Sequence, residues 1–393
     1  MPASIRISMF YGALFLGLGG TFAFLPVWYA GRGLGGEWIG YALGAGSLAR
    51  FFAGPLVAAQ AGHPSHIPSI LRWAALAAVV IFVIHVPVSN PLVFVFLGLL
   101  LGTAYSPLVP LADALAMALE RRKLVHYGPV RSAGSAAFIV GTMGCGWLIA
   151  KFGSEMLLVW AIGAGLLLAI SAWFLPTVET RDKPVRTDKA GQRLRDALKF
   201  CSRSDVATAL LVTFLIQASH AFFYGFSALL WTAAGFSGLL IGALFAWGVF
   251  FEVVLFNLSP WFRKHASPLV LLLIGGCAAL VRWLALSTEP ELGALIGWQI
   301  LHGFSAAMTN LGMMAYLQKH TPERLIAGAQ AINSSVTAGL SFGIGFSVAG
   351  FLYVRSGADG YLFAAGAAGL GIVICLALIV VQRVRGVPQT DIS

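Results

Sequence analysis

Charge is what this chain has least of. Only 10% of its 393 residues are Asp, Glu, Lys or Arg, against roughly a quarter in soluble domains, which excludes a water-facing surface for most of the chain. Acids are the scarcer sign, 15 against 25 Lys and Arg. Cysteine is rare too: Cys145, Cys201, Cys277 and Cys375 are scattered, with no C-x-x-C pair and no nearby His at ligand spacing. That leaves them as small apolar packing residues and points to no metal site. Nucleophile elbows, H-E-x-x-H and Walker loops are missing, and no polar stretch is long enough for a folded domain outside a membrane, so an enzyme is not expected. No short basic region with an A-x-A site precedes the first apolar stretch; residues 7–30 are long enough to span and read as a retained helix.

Apolar residues fill the space that charge leaves. They make up 59% of the chain, and the mean hydropathy is +0.85. Segments of about twenty residues recur near 7–30, 38–60, 70–88, 91–119, 128–150 and 155–175, then near 206–234, 238–261, 267–287, 292–318, 325–353 and 361–382. This predicts an all-α membrane protein of twelve transmembrane helices in two pseudo-symmetric six-helix bundles, residues 1–176 and 205–393, joined by a cytoplasmic linker over 177–204. With the N-terminus inside, nineteen of the 25 Lys and Arg fall on the cytoplasmic side, which sets both termini in the cytoplasm. The net charge of +10 follows this sidedness and does not point to nucleic acid. Within the linker, Arg193 to Phe200 can form a short amphipathic helix on the inner leaflet. Glycine is abundant, at 46 residues, and Gly141, Gly144, Gly146, Gly339, Gly343 and Gly345 suit close helix contacts.

Two stretches about two hundred residues apart carry the same helical pattern: Ile39-Gly40 to Gly46 to Arg50, and Ile241-Gly242 to Gly248 to Glu252. Trp28 and Trp231 stand just ahead of them. A charge inside an apolar helix costs roughly 2.5 to 3.5 kcal/mol, so repeating one at the same position implies a polar interior. Six helices per unit give parallel repeats with a pathway between the halves.

Away from the span ends lie five residues of ionisable type, Asp113 and Glu252 against Arg50, Arg131 and Arg282, with His220 and His302 in addition. The surplus of one positive charge favours an anionic or carboxylate-bearing ligand. Asp113 lies eight residues before Arg121, and Arg131 eight after Lys123. Both therefore sit about 12 Å in from one turn and are able to meet; a ligand site and a permanent hairpin clip both fit. Glu252 has no basic residue within a helical turn on its own span, so its partner is on another helix or it carries a proton. His220, Arg282 and His302, on neighbouring spans, suit that partnership. On the seventh span Gln217, His220 and Tyr224 share a face that would hold an aromatic or amphipathic ligand, or simply pack. Gln299 and Asn310 add donors on the tenth span, while His85, near the outer end of the third, is expected to reach the interface.

The runs Ser106-Pro-Leu-Val-Pro-Leu-Ala-Asp113, Tyr127-Gly-Pro-Val-Arg131-Ser-Ala-Gly, His220-Ala-Phe-Phe-Tyr224 and Gln299-Ile-Leu-His302-Gly resemble the phenylpropionate permease group of the major facilitator superfamily. That group is related to the lactose permease and nucleoside proton symporters. The resemblance implies the major facilitator fold, alternating access and proton coupling. It also implies substrate binding by Asp113 and Arg131 and coupling roles for Glu252, Arg282 and His302. Ser305 stands where the lactose permease has a second acid, and Gly62-His-Pro-Ser-His66 departs from the superfamily's loop after helix 2.

The reading that follows is a proton-coupled symporter importing a small aromatic carboxylate in the inner membrane. Its substrate-binding candidates are Asp113, Arg131, Arg50, Gln217, His220, Tyr224 and Gln299; its proton-coupling candidates are Glu252, Arg282 and His302. It needs no cofactor beyond the proton gradient. Small molecule, protons and lipid are its partners, and a monomer is expected. A sugar or nucleoside symporter is the rival within transport, and drug efflux a weaker one, since acids do not dominate the interior.

Overall fold

The computed structural model describes residues 1–60, 64–177 and 188–384, and among them regular structure is helical throughout. Seven helices come first: α1 (Ala3–Gly31), α2 (Gly36–Gln60), α3 (Ile67–His85), α4 (Pro91–Tyr105), α5 (Leu108–Arg121), α6 (Tyr127–Phe152) and α7 (Met156–Trp173). Their ends follow local chemistry. Asn90 caps α4 by accepting from Leu92 N at 2.9 Å, with Pro91 in the first turn. Gly153 ends α6 at φ 92°, a backbone that a side chain rarely tolerates. The run expected as one span over 91–119 is interrupted at Ser106-Pro107, where proline has no N–H for the ladder; Ser106 Oγ donates back to Thr103 O at 2.9 Å.

Ten more helices follow: α8 (Asp188–Cys201), α9 (Ser204–Ala233), α10 (Gly238–Asn257), α11 (Ser259–His265), α12 (Pro268–Ser287), α13 (Leu292–Gly303), α14 (Thr309–His320), α15 (Glu323–Ser334), α16 (Phe342–Ser356) and α17 (Gly360–Val384). Single π-helical segments, Phe304–Met308 and Ser335–Ser341, join α13 to α14 and α15 to α16. Nine stretches among the described residues are long and apolar enough to cross a membrane. One of them, Glu323–Val384, is 62 residues long and contains the turn at Gly357–Asp359. Together with α2 and the α13–α14 pair, this is consistent with twelve crossings.

The chain forms two compact units, Met1–Thr187 with Tyr224–Ala246, and Asp188–Phe223 with Trp247–Ser393. In the first, α1 lies along α6 and α7, α2 along α4, and α3 against α7. Tyr11, Leu14, Leu71, Leu108, Leu115 and Leu168 form its core. The segment Tyr224–Ala246 is tied to this unit by the Tyr224 ring against Phe22, 4.5 Å between centroids, and by Gly238 on the α6 backbone at Gly146. In the second unit α12 is central and packs on α13, α14 and α17.

Glycines set the close crossings. A Cβ at Gly46 would stand 2.9 Å from the Gly98 carbonyl oxygen of α4, and one at Gly102 would collide with Gly46 O. In the second unit a Cβ at Gly248 would stand 3.0 Å from His302 Cδ2, and one at Gly303 2.7 Å from the Phe251 carbonyl carbon. The repeated glycine thus marks α2 on α4 in one half and α10 on α13 in the other. Gly141 against Leu16 and Gly345 against Ala218 and Ala221 make the corresponding approach of α6 to α1 and α16 to α9.

The amphipathic segment Arg193–Phe200 is helical, within α8, and Ala197, Phe200 and Cys201 are buried. Its small face packs on α15, where a Cβ at Gly328 would stand 2.7 Å from Ala197 Cβ, while Leu194 and Leu198 stay exposed. His85 departs from expectation. It is fully buried instead of reaching an interface, because Trp28, Tyr29, Phe82 and Phe94 surround its ring and Ile81 O and Tyr29 OH take its two nitrogens at 2.8 and 3.3 Å. Linker residues 178–187, the tail from 385, and Gly62 and His63 of the loop after α2 lie outside the described residues.

Candidate functional site

Ionisable residues expected inside the spans gather, among the described residues, into a cluster in each unit. In the first, α5 and α6 bring Asp113 and Arg131 together, with Arg131 Nε 3.7 Å from Asp113 Oδ1. Both side chains are nearly a third exposed, at 28% and 30%, so they are accessible as well as paired. Tyr11 of α1 donates its hydroxyl to Asp113 Oδ1 at 2.5 Å. Phe15, one turn further along α1, lies under the Arg131 guanidinium at 4.4 Å, and the Tyr11 ring is 5.6 Å away. Tyr127, at the start of α6, faces both charged groups. The result is an arginine fork with aromatic faces beside it, a combination that suits a carboxylate attached to a ring.

The second cluster is deeper. Arg282 of α12 is fully buried; its guanidinium stands 4.0 Å from the Phe223 ring and 4.6 Å from that of Trp283. One nitrogen, Nη2, donates to Gln299 Oε1, and Nη1 approaches His302 Nδ1 at 3.2 Å. Arginine has only donors. His302 Nδ1 must therefore accept, and its ring proton sits on Nε2. That nitrogen faces Glu252 Oε2 at 3.8 Å. Glu252, on α10, is 26% exposed and His302 only 3%, so the carboxylate is the accessible end of the chain. The same logic orients Gln299: its oxygen meets Arg282, so its amide nitrogen turns the other way. His220 donates Nδ1–H to Ile216 O at 2.8 Å, and its Nε2 is 2.9 Å from Ser305 Oγ in the π-helical segment after His302.

The sequence candidates divide accordingly. Asp113 and Arg131 come together in one unit; Glu252, Arg282, His302 and Gln299 in the other, with His220 joined to them through Ser305. Along the face expected for Gln217, His220 and Tyr224, Gln217 Nε2 turns to Asn310 Oδ1 at 3.5 Å, His220 Nε2 meets Ser305 Oγ and the Tyr224 ring packs on Phe22. Arg50 is exposed on α2, with Tyr105 of α4 as its electrostatic neighbour. Tyr11, Phe15, Tyr127 and Trp283 are additions that the sequence reading did not make, and Phe223, expected beside the seventh-span face, lies against Arg282 instead. The i, i+4 spacing of Tyr11 and Phe15 was the available signal, but it does not distinguish a ring that packs from one that carries a cation.

The description of the MFS_1 like family fits residues 4–365 of this chain. The chain belongs to the MFS_1 like family. It is a multi-pass membrane transporter and not an enzyme. The protein is 34% identical, over 354 residues, to the probable 3-phenylpropionic acid transporter of Escherichia coli (strain K12), covering 88% of this chain and 90% of that one. It is 27% identical over 397 residues to the maltose permease of Geobacillus stearothermophilus, covering 96% and 95%. Among solved structures it resembles the nucleoside transporter NupG, with a TM-score of 0.81, 17% identity and coverage of 97% and 99%. At that identity the likeness shows the fold alone.

Proposed function

We propose that this family member is a proton-coupled symporter that imports a small aromatic carboxylate, of the phenylpropionate type, across the inner membrane. The observation that carries the reading is Arg131: an accessible guanidinium, seated on Phe15, that meets Asp113 through Nε at a distance longer than a closed ion pair. An incoming carboxylate takes the remaining N–H groups of the fork, and Asp113 orients the guanidinium. The relative of 34% identity, described as a probable 3-phenylpropionic acid transporter, supports the same class of cargo.

Coupling is assigned to Glu252 and His302. Arg282 keeps His302 Nδ1 as an acceptor, which leaves Nε2–H directed at Glu252 and holds the imidazole neutral while the contact lasts. Glu252, the exposed member, takes up the proton; His302 senses it across 3.8 Å. Protonation removes a charge from an apolar helix, worth roughly 2.5 to 3.5 kcal/mol on insertion scales, enough to bias a conformational equilibrium by about a hundredfold. The proton gradient is the energy source, and both termini are assigned to the cytoplasm.

Glu252→Gln is expected to abolish uphill uptake while sparing exchange of labelled substrate; accumulation at the wild-type level would remove Glu252 from the coupling role. The 27% identity to a maltose permease favours a sugar as the second reading. Arg131→Gln separates the two, because loss of binding for acids but not for sugars supports the carboxylate, and the reverse supports the sugar.

A further inference from the structure

We propose that Tyr11 of α1 is a positioning residue that keeps the Arg131 fork open to a carboxylate by holding Asp113 away from it. The inference rests on the reading that Arg131 receives the acid, and adds a residue which that reading does not require. Tyr11 OH and Arg131 Nε address the same oxygen, Asp113 Oδ1, at 2.5 Å and 3.7 Å. Left alone, an arginine and a carboxylate close to about 2.7–2.9 Å, often through two parallel bonds. Here the neutral donor has the short contact and the cation the long one. Tyr11 thus satisfies the carboxylate without spending the charge of Arg131.

The geometry around the pair fixes this arrangement. Tyr11 is fully buried, so its ring has no alternative direction in which to turn. Phe15 sits on the same face of α1 one turn later and supports the guanidinium at 4.4 Å. Opposite, a Cβ at Gly134 would come within 2.7 Å of Phe15 Cδ2 and 3.2 Å of Arg131 Nη1. Glycine at 134 therefore gives the ring and the guanidinium the room to stack. Without the Tyr11 hydroxyl, the donors left facing Asp113 are Tyr127 and Arg131, and where Arg131 closes on the carboxylate an arriving acid would first have to break that ion pair.

The test measures binding of 3-phenylpropionate to the purified full-length protein in detergent, by calorimetry, for the wild type, Arg131→Gln, Tyr11→Phe, Asp113→Asn and the Tyr11→Phe/Asp113→Asn double variant. Tyr11→Phe is expected to bind the acid roughly tenfold more weakly or worse, the scale of one hydrogen bond to a charged group. In the Asp113→Asn background the same substitution should change affinity by about twofold at most, within the usual additivity of uncoupled sites. A merely structural tyrosine would weaken binding equally in both backgrounds. If Arg131→Gln loses the acid while Tyr11→Phe binds like the wild type, or weakens both backgrounds alike, the inference is overturned and the carboxylate reading stands. If Arg131→Gln still binds the acid, the carboxylate reading falls and takes the inference with it. Should Tyr11→Phe fold only together with Asp113→Asn, the hydroxyl acts through Asp113 and the inference holds; failure of both to fold assigns Tyr11 to structure alone and overturns it.

Discussion

The two repeat glycines offer an internal control for the coupling mechanism, because one methyl group meets different neighbours at each. Gly248→Ala places Cβ 3.0 Å from His302 Cδ2 and 3.2 Å from its Cβ and Cγ. That is a few tenths of an ångström too close, and the imidazole has to give. Gly46→Ala places the same atom 2.9 Å from the Gly98 carbonyl oxygen, where only backbone movement of α4 relieves it. Overpacking costs about 1–3 kcal/mol, and alanine returns about 1 kcal/mol in helix propensity. Gly248→Ala is therefore expected to lose roughly 0–2 kcal/mol of stability and Gly46→Ala to lie at the upper end. Function should separate them more sharply. His302 is held between Arg282 at 3.2 Å and Glu252 at 3.8 Å, and misplacement by an ångström costs on the order of a hundredfold. A shift of a few tenths should then cut uphill accumulation by roughly three- to tenfold, with exchange of labelled substrate close to the wild type. Gly46→Ala should lower accumulation and exchange in proportion, together with the unfolding midpoint. Uptake and counterflow in proteoliposomes read both activities from one preparation. If Gly248→Ala leaves the ratio of accumulation to exchange unchanged, His302 is not positioned for coupling as argued.

Two further outcomes follow from the packing. Phe223→Leu removes a ring 4.0 Å from the buried Arg282 guanidinium; losing about 2 kcal/mol of desolvated cation–π attraction should lower the thermal midpoint, whereas Phe363→Leu, at an exposed ring, should not. Gly328→Val should lift α8 off α15, because Ala197 Cβ already lies where a Cβ would come within 2.7 Å. Burial pushes the Cys201 thiol up to about 11, so release toward the ordinary value near 8.5 gives about two orders of magnitude more thiolate at pH 8 and correspondingly faster maleimide labelling. The comparison uses a Cys277→Ala background, since Cys277 is exposed; unchanged labelling would mean that α8 stays docked.

Fold and pairing were legible to different degrees. The duplicated Gly46 and Gly248 were legible as a repeat, and Gly141 and Gly345 as close contacts, because a close helix approach demands a small residue; that Gly46 and Gly248 mark the α2–α4 and α10–α13 crossings came only with the structure. The Asp113–Arg131 meeting was readable from equal distances to one turn, since α-helical rise is constant. Contacts between helices distant in sequence were not. His85 looked interfacial from its place near a helix end, yet Tyr29 and Phe94 reach it from α1 and α4. The face predicted for Gln217, His220 and Tyr224 assumed one common surface, whereas the three side chains address Asn310, Ser305 and Phe22. Helical period fixes which residues share a side of a helix; it does not say how many neighbours that side meets. The π segment beside His302 was not legible, because uninterrupted apolar composition masks a change in backbone ladder, and Pro107, though visible, does not by itself separate a break from a kink within one span.

Proton-driven accumulation of 3-phenylpropionate in proteoliposomes tests the account most directly. Because a weak acid also crosses bare lipid, the measured quantity is accumulation above protein-free vesicles under an imposed inward proton gradient, with Glu252→Gln alongside. The account predicts accumulation by the wild type that collapses when the gradient is dissipated, and a Glu252→Gln protein that only exchanges. Gradient-independent equilibration by the wild type, or full accumulation by Glu252→Gln, would contradict it.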